Sequence, residues 1–514
     1  MTLSRKKNTM LSLLTSGIRQ VSSVLFQFLS RTVFIYVLGK EYLGLNGLFT
    51  NILTLLSLSE LGIGVAITYY LYEPLASNDK ERIGSLMQFY KKCYNVVGIV
   101  ILSVGCSLMP FIDKLVNFEQ QLPENLYIVY LLFLFQSAST YFFFAYKQTL
   151  ITADQKLYKI EKINIAYLIL GCLVDVIVLL LFRSYLLYLV LKVILVILKN
   201  ISISITVDKE YPFLKDIKAE KLHRDEIKRF FKDVYSVSIF KVGSVFFNSL
   251  SNLIISAMIG TTVVGVYSNY VLITSQIQAF FMAFVTAVTA SVGNVLVQET
   301  KERKQEIFNK LRIYGFVISS LFTICFFQLS NSFMDIWLGN LDRSYIFSQA
   351  ILFFISFDFY INTYCQIHNT FRQASGNFKI GRHLQLIGGI VNVALAIPLC
   401  MRFGLMGIFA AQVISKLVVT NIPFLYMVEN RLFETRLKDT VLIIFRDIAL
   451  TLFCGVAVWC LCRKIHQTSV LNFMIEMIVT LCFPLLFYSL FFWKSDAFVE
   501  FRQIAKNKIL SKWK

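Results

Sequence analysis

Fourteen stretches of mostly apolar residues follow one another along this chain, and they constrain its fold more than any other feature. A helix needs ~20 such residues to cross a bilayer, and inside hydrocarbon it must satisfy all its backbone polar groups itself. The runs lie near 13–38, 44–72, 93–116, 125–150, 161–182, 185–207, 233–259, 262–297, 313–334, 346–370, 384–401, 404–428, 441–462 and 470–493. Several are long enough to tilt or to project beyond the bilayer. Charged residues make up 16% of the chain and hydrophobic ones 56%, whereas soluble domains carry roughly 25% charged residues. So little polar surface would not cover 514 residues in water. The expected fold is an all-α integral membrane protein of about fourteen transmembrane helices. The first run is too long for a secretory signal and lacks a small-residue cleavage site, so it is expected to remain as the first span.

The net charge of +19 raises nucleic acid as a partner, but the distribution of the basic residues argues against it. With the N-terminus inside, the inner segments hold 35 Lys and Arg, the outer ones 7, and the spans the other 8 of the 50. Cytoplasmic loops carry the excess of basic residues, so both termini are expected in the cytoplasm and no nucleic acid is implied. The outer connections are short, one being little more than Arg183–Ser184, which leaves no room for an extracytoplasmic domain. The longest inner connection, 208–232, carries eight basic and six acidic residues and reads as an amphipathic linker on the inner surface.

That linker separates two halves of an internal repeat. A shift of 221 residues superposes Ser23 on Ser244, Val24 on Val245, Leu29 on Leu250 and Ser30 on Ser251. It also superposes Gly39 on Gly260, Gly44 on Gly265 and Gln27 on Asn248. Both copies run from inside to outside, so the repeat is parallel, with its axis along the membrane normal. The expected organisation is an N-lobe of six helices over 1–207, the linker 208–232, a pseudo-symmetric six-helix C-lobe over 233–428, two further helices over 429–493, and a basic cytoplasmic tail over 494–514.

An ionised side chain at the centre of a bilayer costs ~2.5–3.5 kcal/mol on insertion scales, so intramembrane polar groups mark the candidate site. In the first helix Ser16, Arg19, Gln20, Ser23, Gln27, Ser30 and Arg31 fall within an arc of about 120°, opposite Leu25, Phe26 and Val33. Such a stripe should line water or protein. The alternative role is hydrogen bonding between helices. Arg19 and Arg31 are separated by roughly 18 Å along the axis, and guanidinium binds phosphate oxygens bidentately. The seventh helix repeats the design with Lys241, Ser244, Asn248, Ser251 and Asn252 on one face. Cations suit phosphate, while amides and hydroxyls suit sugars. The substrate-binding candidates are therefore Arg19, Gln20, Gln27, Arg31, Lys241, Asn248, Asn252 and Lys416.

Other intramembrane charges have structural readings. Asp175 and Lys192 are about equally far from the Arg183–Ser184 turn and are expected to form an ion pair. Glu60 lies near Arg19 in depth and is a candidate to neutralise it. Lys416 either pairs with Asp358 or completes a cationic lining. Glu476, Arg446 and Asp447 are expected near helix ends. The four His and ten Cys show no metal-ligand spacing and no disulfide framework. The cysteines read as small buried hydrophobes. No nucleophile–base pair or phosphate loop is visible, so neither catalysis, metal nor cofactor is expected.

The stretch Arg31-Thr-Val-Phe-Ile-Tyr-Val-Leu-Gly-Lys-Glu-Tyr-Leu-Gly-Leu-Asn46, followed by Leu58-Ser-Glu-Leu-Gly-Ile-Gly64, resembles polysaccharide-repeat-unit flippases of the Wzx type. Gly265-Val-Tyr-Ser-Asn269 resembles their matching second-half segment. These flippases belong to the multidrug/oligosaccharidyl-lipid/polysaccharide exporter superfamily. The resemblance implies two six-helix lobes around a cavity that opens alternately to either side of a bacterial cytoplasmic membrane. It implies export of undecaprenyl-pyrophosphate-linked oligosaccharide for capsule or exopolysaccharide synthesis, alongside a polymerase and glycosyltransferases. Arg19, Arg31 and Lys241 fit the cavity cations that meet the pyrophosphate in such flippases. The last two helices resemble the pair that helps form a groove for the lipid tail in related lipid II flippases. The alternatives are a lipid II flippase and a cation-coupled multidrug exporter. The latter is expected to use intramembrane carboxylates, whereas the first helix here is basic. A membrane polymerase or ligase is the enzyme alternative, but it would need a large extracytoplasmic loop.

Overall fold

The computed structural model describes residues 2–60, 62–116, 123–142, 145–154, 156–215, 222–375, 377, 379–463, 469–500 and 502. The side chains of 2–14, 58–59, 65, 145, 215, 236–237, 240–241, 244, 246, 248, 283, 286–291 and 293–298 lie outside the description. Among the described residues there is helix and no strand. The described residues of each of the fourteen apolar runs are almost all helical.

The first two runs share α1 (Thr2–Leu56) and continue through a 3-10 turn into α2 (Ile63–Ser77). α1 is really two helices joined at Gly39, whose φ of 86° and ψ of −173° only glycine adopts without strain. The third run is α3 (Lys80–Leu108), extended by the short α4 (Ile112–Leu115). The fourth is broken into α5 (Leu126–Phe142) and α6 (Gln148–Ala153). α7 (Tyr158–Phe182) and α8 (Tyr185–Glu210) form a hairpin. Its two-residue turn has Arg183 left-handed and Ser184 capping α8, with the hydroxyl accepting from Leu187 N at 3.3 Å. α9 (Arg224–Met258), α10 (Thr261–Gln298) and α11 (Lys301–Met334) are long, and α11 runs on through a π-helical turn.

The tenth run is split into α12 (Gln349–Tyr364) and α13 (Gln366–Ala374). α14 (Leu384–Phe403) follows. In the twelfth run a π-helical segment over 415–421 separates α15 (Leu405–Ile414) from α16 (Ile422–Phe433). α17 (Leu437–Cys462) and α18 (Val470–Phe491) complete the series. Among the described residues ten helical segments are long and apolar enough to cross a bilayer, and Leu126–Phe142 and Ser249–Met258 are shorter apolar helices. The architecture is that of an all-α, multi-pass membrane protein.

Packing divides the chain into two compact units, Met1–Ser268 and Asn269–Lys514. In the first, α1 packs along α7 and also meets α9 and α5. On α1, Ile18, Val21, Leu25 and Leu29 are exposed, while Ser23 is buried. In the second unit α11 packs on α18, α12 and α17 around Phe316, Tyr360, Tyr364, Val428, Cys454 and Tyr488.

Two glycines separated by that shift of 221 residues, Gly44 and Gly265, approach each other within the first unit. A Cβ on Gly44 would meet the Thr261 carbonyl oxygen at 2.2 Å. A Cβ on Gly265 would meet Gly44 N at 2.5 Å and the Lys40 carbonyl oxygen at 2.7 Å. The shift of 221 that carries Gly44 onto Gly265 also carries Lys40 onto Thr261, so the contact is reciprocal, as two-fold symmetry requires. Both glycines are there because the two backbones touch.

Candidate functional site

The polar arc of α1 reaches into the first unit at two levels. At the lower one Arg19 Nε lies 2.7 Å from Glu161 Oε2 on α7, and that carboxylate is buried. The sequence points instead to Glu60 as the neutralising group. The structure differs because α7 runs beside α1, whereas Glu60 sits in the turn after α1 and faces α3 and α5. There it accepts the hydroxyl of Tyr94, and that of Tyr141 at 2.7 Å. Gln20 is half-buried, and Gln27, exposed, donates to the Ser23 hydroxyl at 2.6 Å.

At the upper level charge and hydroxyls gather. The Arg31 guanidinium donates to Ser268 of α10, whose own hydroxyl donates to the Gly265 carbonyl at 2.6 Å. Beside it, Lys192 Nζ of α8 lies 2.7 Å from Asp175 Oδ2 of α7 and 5.2 Å from the centre of the Tyr188 ring. Arg31 is within electrostatic reach of Tyr188, so α1, α7, α8 and α10 converge on one charged cluster.

Tyr188 and Lys192 form part of the wall of a cavity of about 500 Å³ in this unit. The rest of its polar lining comes from Asn46, Thr50, Thr54 and Ser57 after the Gly39 break, and from Gln136, Ser137 and Thr140 of α5. Apolar Leu53, Phe133, Leu189 and Val196 complete it. Hydroxyls and amides donate and accept, so such a wall can exchange hydrogen bonds with a polyhydroxylated ligand, while the ammonium can meet an anion. Sequence analysis did not single out these residues. A signal was present: Asn46, Thr50 and Thr54 recur at four-residue steps, which places them on one helical face.

The other candidates divide. The side chains of Lys241 and Asn248 lie outside the described residues. Asn252 Oδ1 is buried without a hydrogen-bond partner among the described residues, and Ser251 donates to the Phe247 carbonyl at 2.8 Å. Lys416 belongs to the second unit, where its ammonium lies 2.7 Å from Asp358 Oδ1. Asn362 also donates to Asp358, at 2.9 Å. Sequence analysis missed a second buried group in that unit. Glu429 accepts from His368 Nε2 at 2.9 Å and from Thr440 at 2.6 Å, with Arg312 at 3.7 Å. Asp447, placed near a helix end by the sequence, is buried and accepts from Tyr364 at 2.8 Å and from Arg446 at 2.6 Å. Among the described residues no three His, Cys, Asp or Glu side chains are grouped to hold a metal.

No family model and no curated protein matches the sequence. Solved structures do match. One is the lipid II flippase MurJ in an inward closed conformation, 15% identical, covering 94% of this chain and 99% of that one with a TM-score of 0.63. Another is an inward-facing multidrug resistance MATE family transporter of the MOP superfamily, 15% identical, covering 82% of this chain and 99% of that one, TM-score 0.61. A MOP superfamily transporter from Pyrococcus furiosus, described as having a binding pocket of reversed polarity, is 15% identical over 84% of this chain and 97% of its own, TM-score 0.54. Over nearly the full length of each of these proteins, the chain shares the fold of MOP superfamily transporters.

Proposed function

We propose that this protein is a flippase that exports lipid-linked oligosaccharide, carried on undecaprenyl pyrophosphate, across a bacterial cytoplasmic membrane by alternating access. The observation that carries the reading is the polar cavity of the first unit. Its amides and hydroxyls suit a sugar, and Lys192 on its wall, with Arg31 in the adjoining cluster, suits an anionic head. Arg31, Lys192 and Lys241 are the cations assigned to the pyrophosphate. Gln20, Gln27, Asn248 and Asn252 are assigned to sugar hydroxyls.

Arg19 and Lys416, each beside a carboxylate and neither on the wall of that cavity, are assigned to holding helices together. Both termini and the 208–232 linker are cytoplasmic in this reading. Membrane potential would help drive the step. Moving an anionic head outward, away from the negative cytoplasm, gains ~2.3 kcal/mol per charge per 100 mV.

A second reading, a flippase for lipid II itself, draws on the similarity to MurJ over 94% of the chain. The two differ in the sugar and not in the head or the tail. Genetic removal separates them. Loss of the protein should halt surface polysaccharide and cause lipid-linked repeat units to build up inside, while cell-wall synthesis continues. Arrest of cell-wall synthesis with normal polysaccharide would favour lipid II.

A further inference from the structure

A second cavity, also within Met1–Ser268, measures about 580 Å³ and lies between α3 and the N-terminal turns of α9. α3 contributes Gln88, Lys92, Val96 and Val100, spaced four residues apart on one face, and α9 contributes Ile227 and Phe231. Val96, Val100 and Phe231 are 59, 41 and 48% exposed, so the groove opens sideways, toward whatever surrounds the helices.

The groove is built by specific contacts. Arg82 grips Glu226 through two hydrogen bonds of 2.7 and 3.3 Å, tying α3 to α9 at the end where the basic 73–92 segment lies. Tyr70 donates to Asp233 at 2.8 Å, and the Phe89 ring packs on Phe230 at 5.1 Å. Lys92 is the one charged residue on the wall, and among the described residues it has no acidic partner. It is also the last basic residue before the apolar run 93–116. It therefore stands at headgroup depth, with apolar wall beyond it.

We infer that this groove binds an anionic phospholipid of the adjacent leaflet, with one hydrocarbon chain along Val96, Val100 and Phe231 and the phosphate at Lys92. Gln88, one turn away, is placed to donate to a phosphate oxygen. A single ammonium with no acidic partner among the described residues matches a single phosphodiester charge, whereas a pyrophosphate would present about twice that charge. The volume falls in the range of roughly 300–1,000 Å³ typical of small-molecule sites. The lipid bridges α3 and α9, the helices that Arg82 and Glu226 already join.

The test is native mass spectrometry of the purified full-length protein titrated with phosphatidylglycerol and, separately, with phosphatidylcholine of the same chains. Wild type should retain the anionic lipid more tightly. Lys92→Ala should weaken that retention about fivefold, which corresponds to the ~1 kcal/mol expected from one cation near a charged lipid. Lys92→Glu should abolish the preference. Val96→Trp should reduce retention of both lipids by filling the groove, with the melting temperature unchanged. Equal retention of phosphatidylglycerol by wild type, Lys92→Glu and Val96→Trp would overturn the inference. Displacement of phosphatidylglycerol from wild type by equimolar polyprenyl phosphate would overturn the assignment to phospholipid.

Discussion

The pair Asp175–Lys192 predicts an asymmetry that a generic ion pair would not show. The Asp175 side chain is 3% exposed and that of Lys192 is 31%, because the ammonium borders the polar cavity and the carboxylate does not. Lys192→Ala removes the hydrogen bond that Asp175 Oδ2 accepts and leaves its carboxylate buried. A stranded buried charge of this kind costs about 3–5 kcal/mol. Asp175→Ala leaves an ammonium that cavity water reaches, and the loss should be nearer the ~1.5–3 kcal/mol of a hydrogen bond to a charged group. Replacing both with Leu removes the stranded charge, and the double variant should recover much of the loss. The assay is unfolding of purified protein in mixed micelles, with folded yield by fluorescence-detected size exclusion as a second readout. A coupling of about 0.5–3 kcal/mol across the cycle is expected. If Asp175→Ala is as damaging as Lys192→Ala, the burial argument is wrong. If the double variant loses the sum of the two singles, the residues do not act as a pair.

Further predictions follow from the same geometry. Gly44→Ala should sharply lower folded yield, because its Cβ would lie 2.2 Å from a backbone oxygen, whereas Gly17→Ala, with nothing within 4 Å, should be neutral or mildly stabilising; equal melting temperatures would contradict the close approach. Single cysteines in a cysteine-free background should be labelled from outside at 183–184 and from inside at 208–232, and the reverse pattern would invert the topology. The Arg82 hydrogen bond lowers the Glu226 carboxyl below its ordinary 4.5, so that pair's contribution should be present at neutral pH and fade as pH falls through the folded-state value. Both partners are about a third exposed, so removing Arg82 should cost under about 1 kcal/mol at pH 7 and nothing measurable below that window.

Much of the architecture was legible because hydrocarbon imposes it. The length of each apolar run, the Arg183–Ser184 turn and the matched depth of Asp175 and Lys192 all follow from one-dimensional spacing along antiparallel helices. Spacing along one helix does not say which neighbour it meets, and that is where the reading strayed. Glu60 and Arg19 share a depth, yet Arg19 meets Glu161, because α7 is the helix beside α1. The breaks were also hidden, since a π-helical segment such as 415–421 keeps the same hydropathy as the helix around it. The sugar-compatible lining around Asn46, Thr50 and Gln136 was overlooked because neutral amides and hydroxyls do not stand out beside charges. Glu429 falls just past the apolar run 404–428 and drew no attention, although its carboxylate is buried against His368 and Thr440.

The central claim is movement of a lipid-linked oligosaccharide through the basic, hydroxyl-rich first unit. The most direct measurement is transfer in vesicles that contain only the purified protein and lipid-linked oligosaccharide, followed by the accessibility of the sugar to an impermeant lectin. Wild type should bring the sugar to equilibrium across the bilayer, Arg31→Lys should slow this in part, and Arg31→Glu should stop it while the protein stays folded. Transfer by Arg31→Glu at the wild-type rate, or no transfer by wild type under an imposed potential of either sign, would contradict the account.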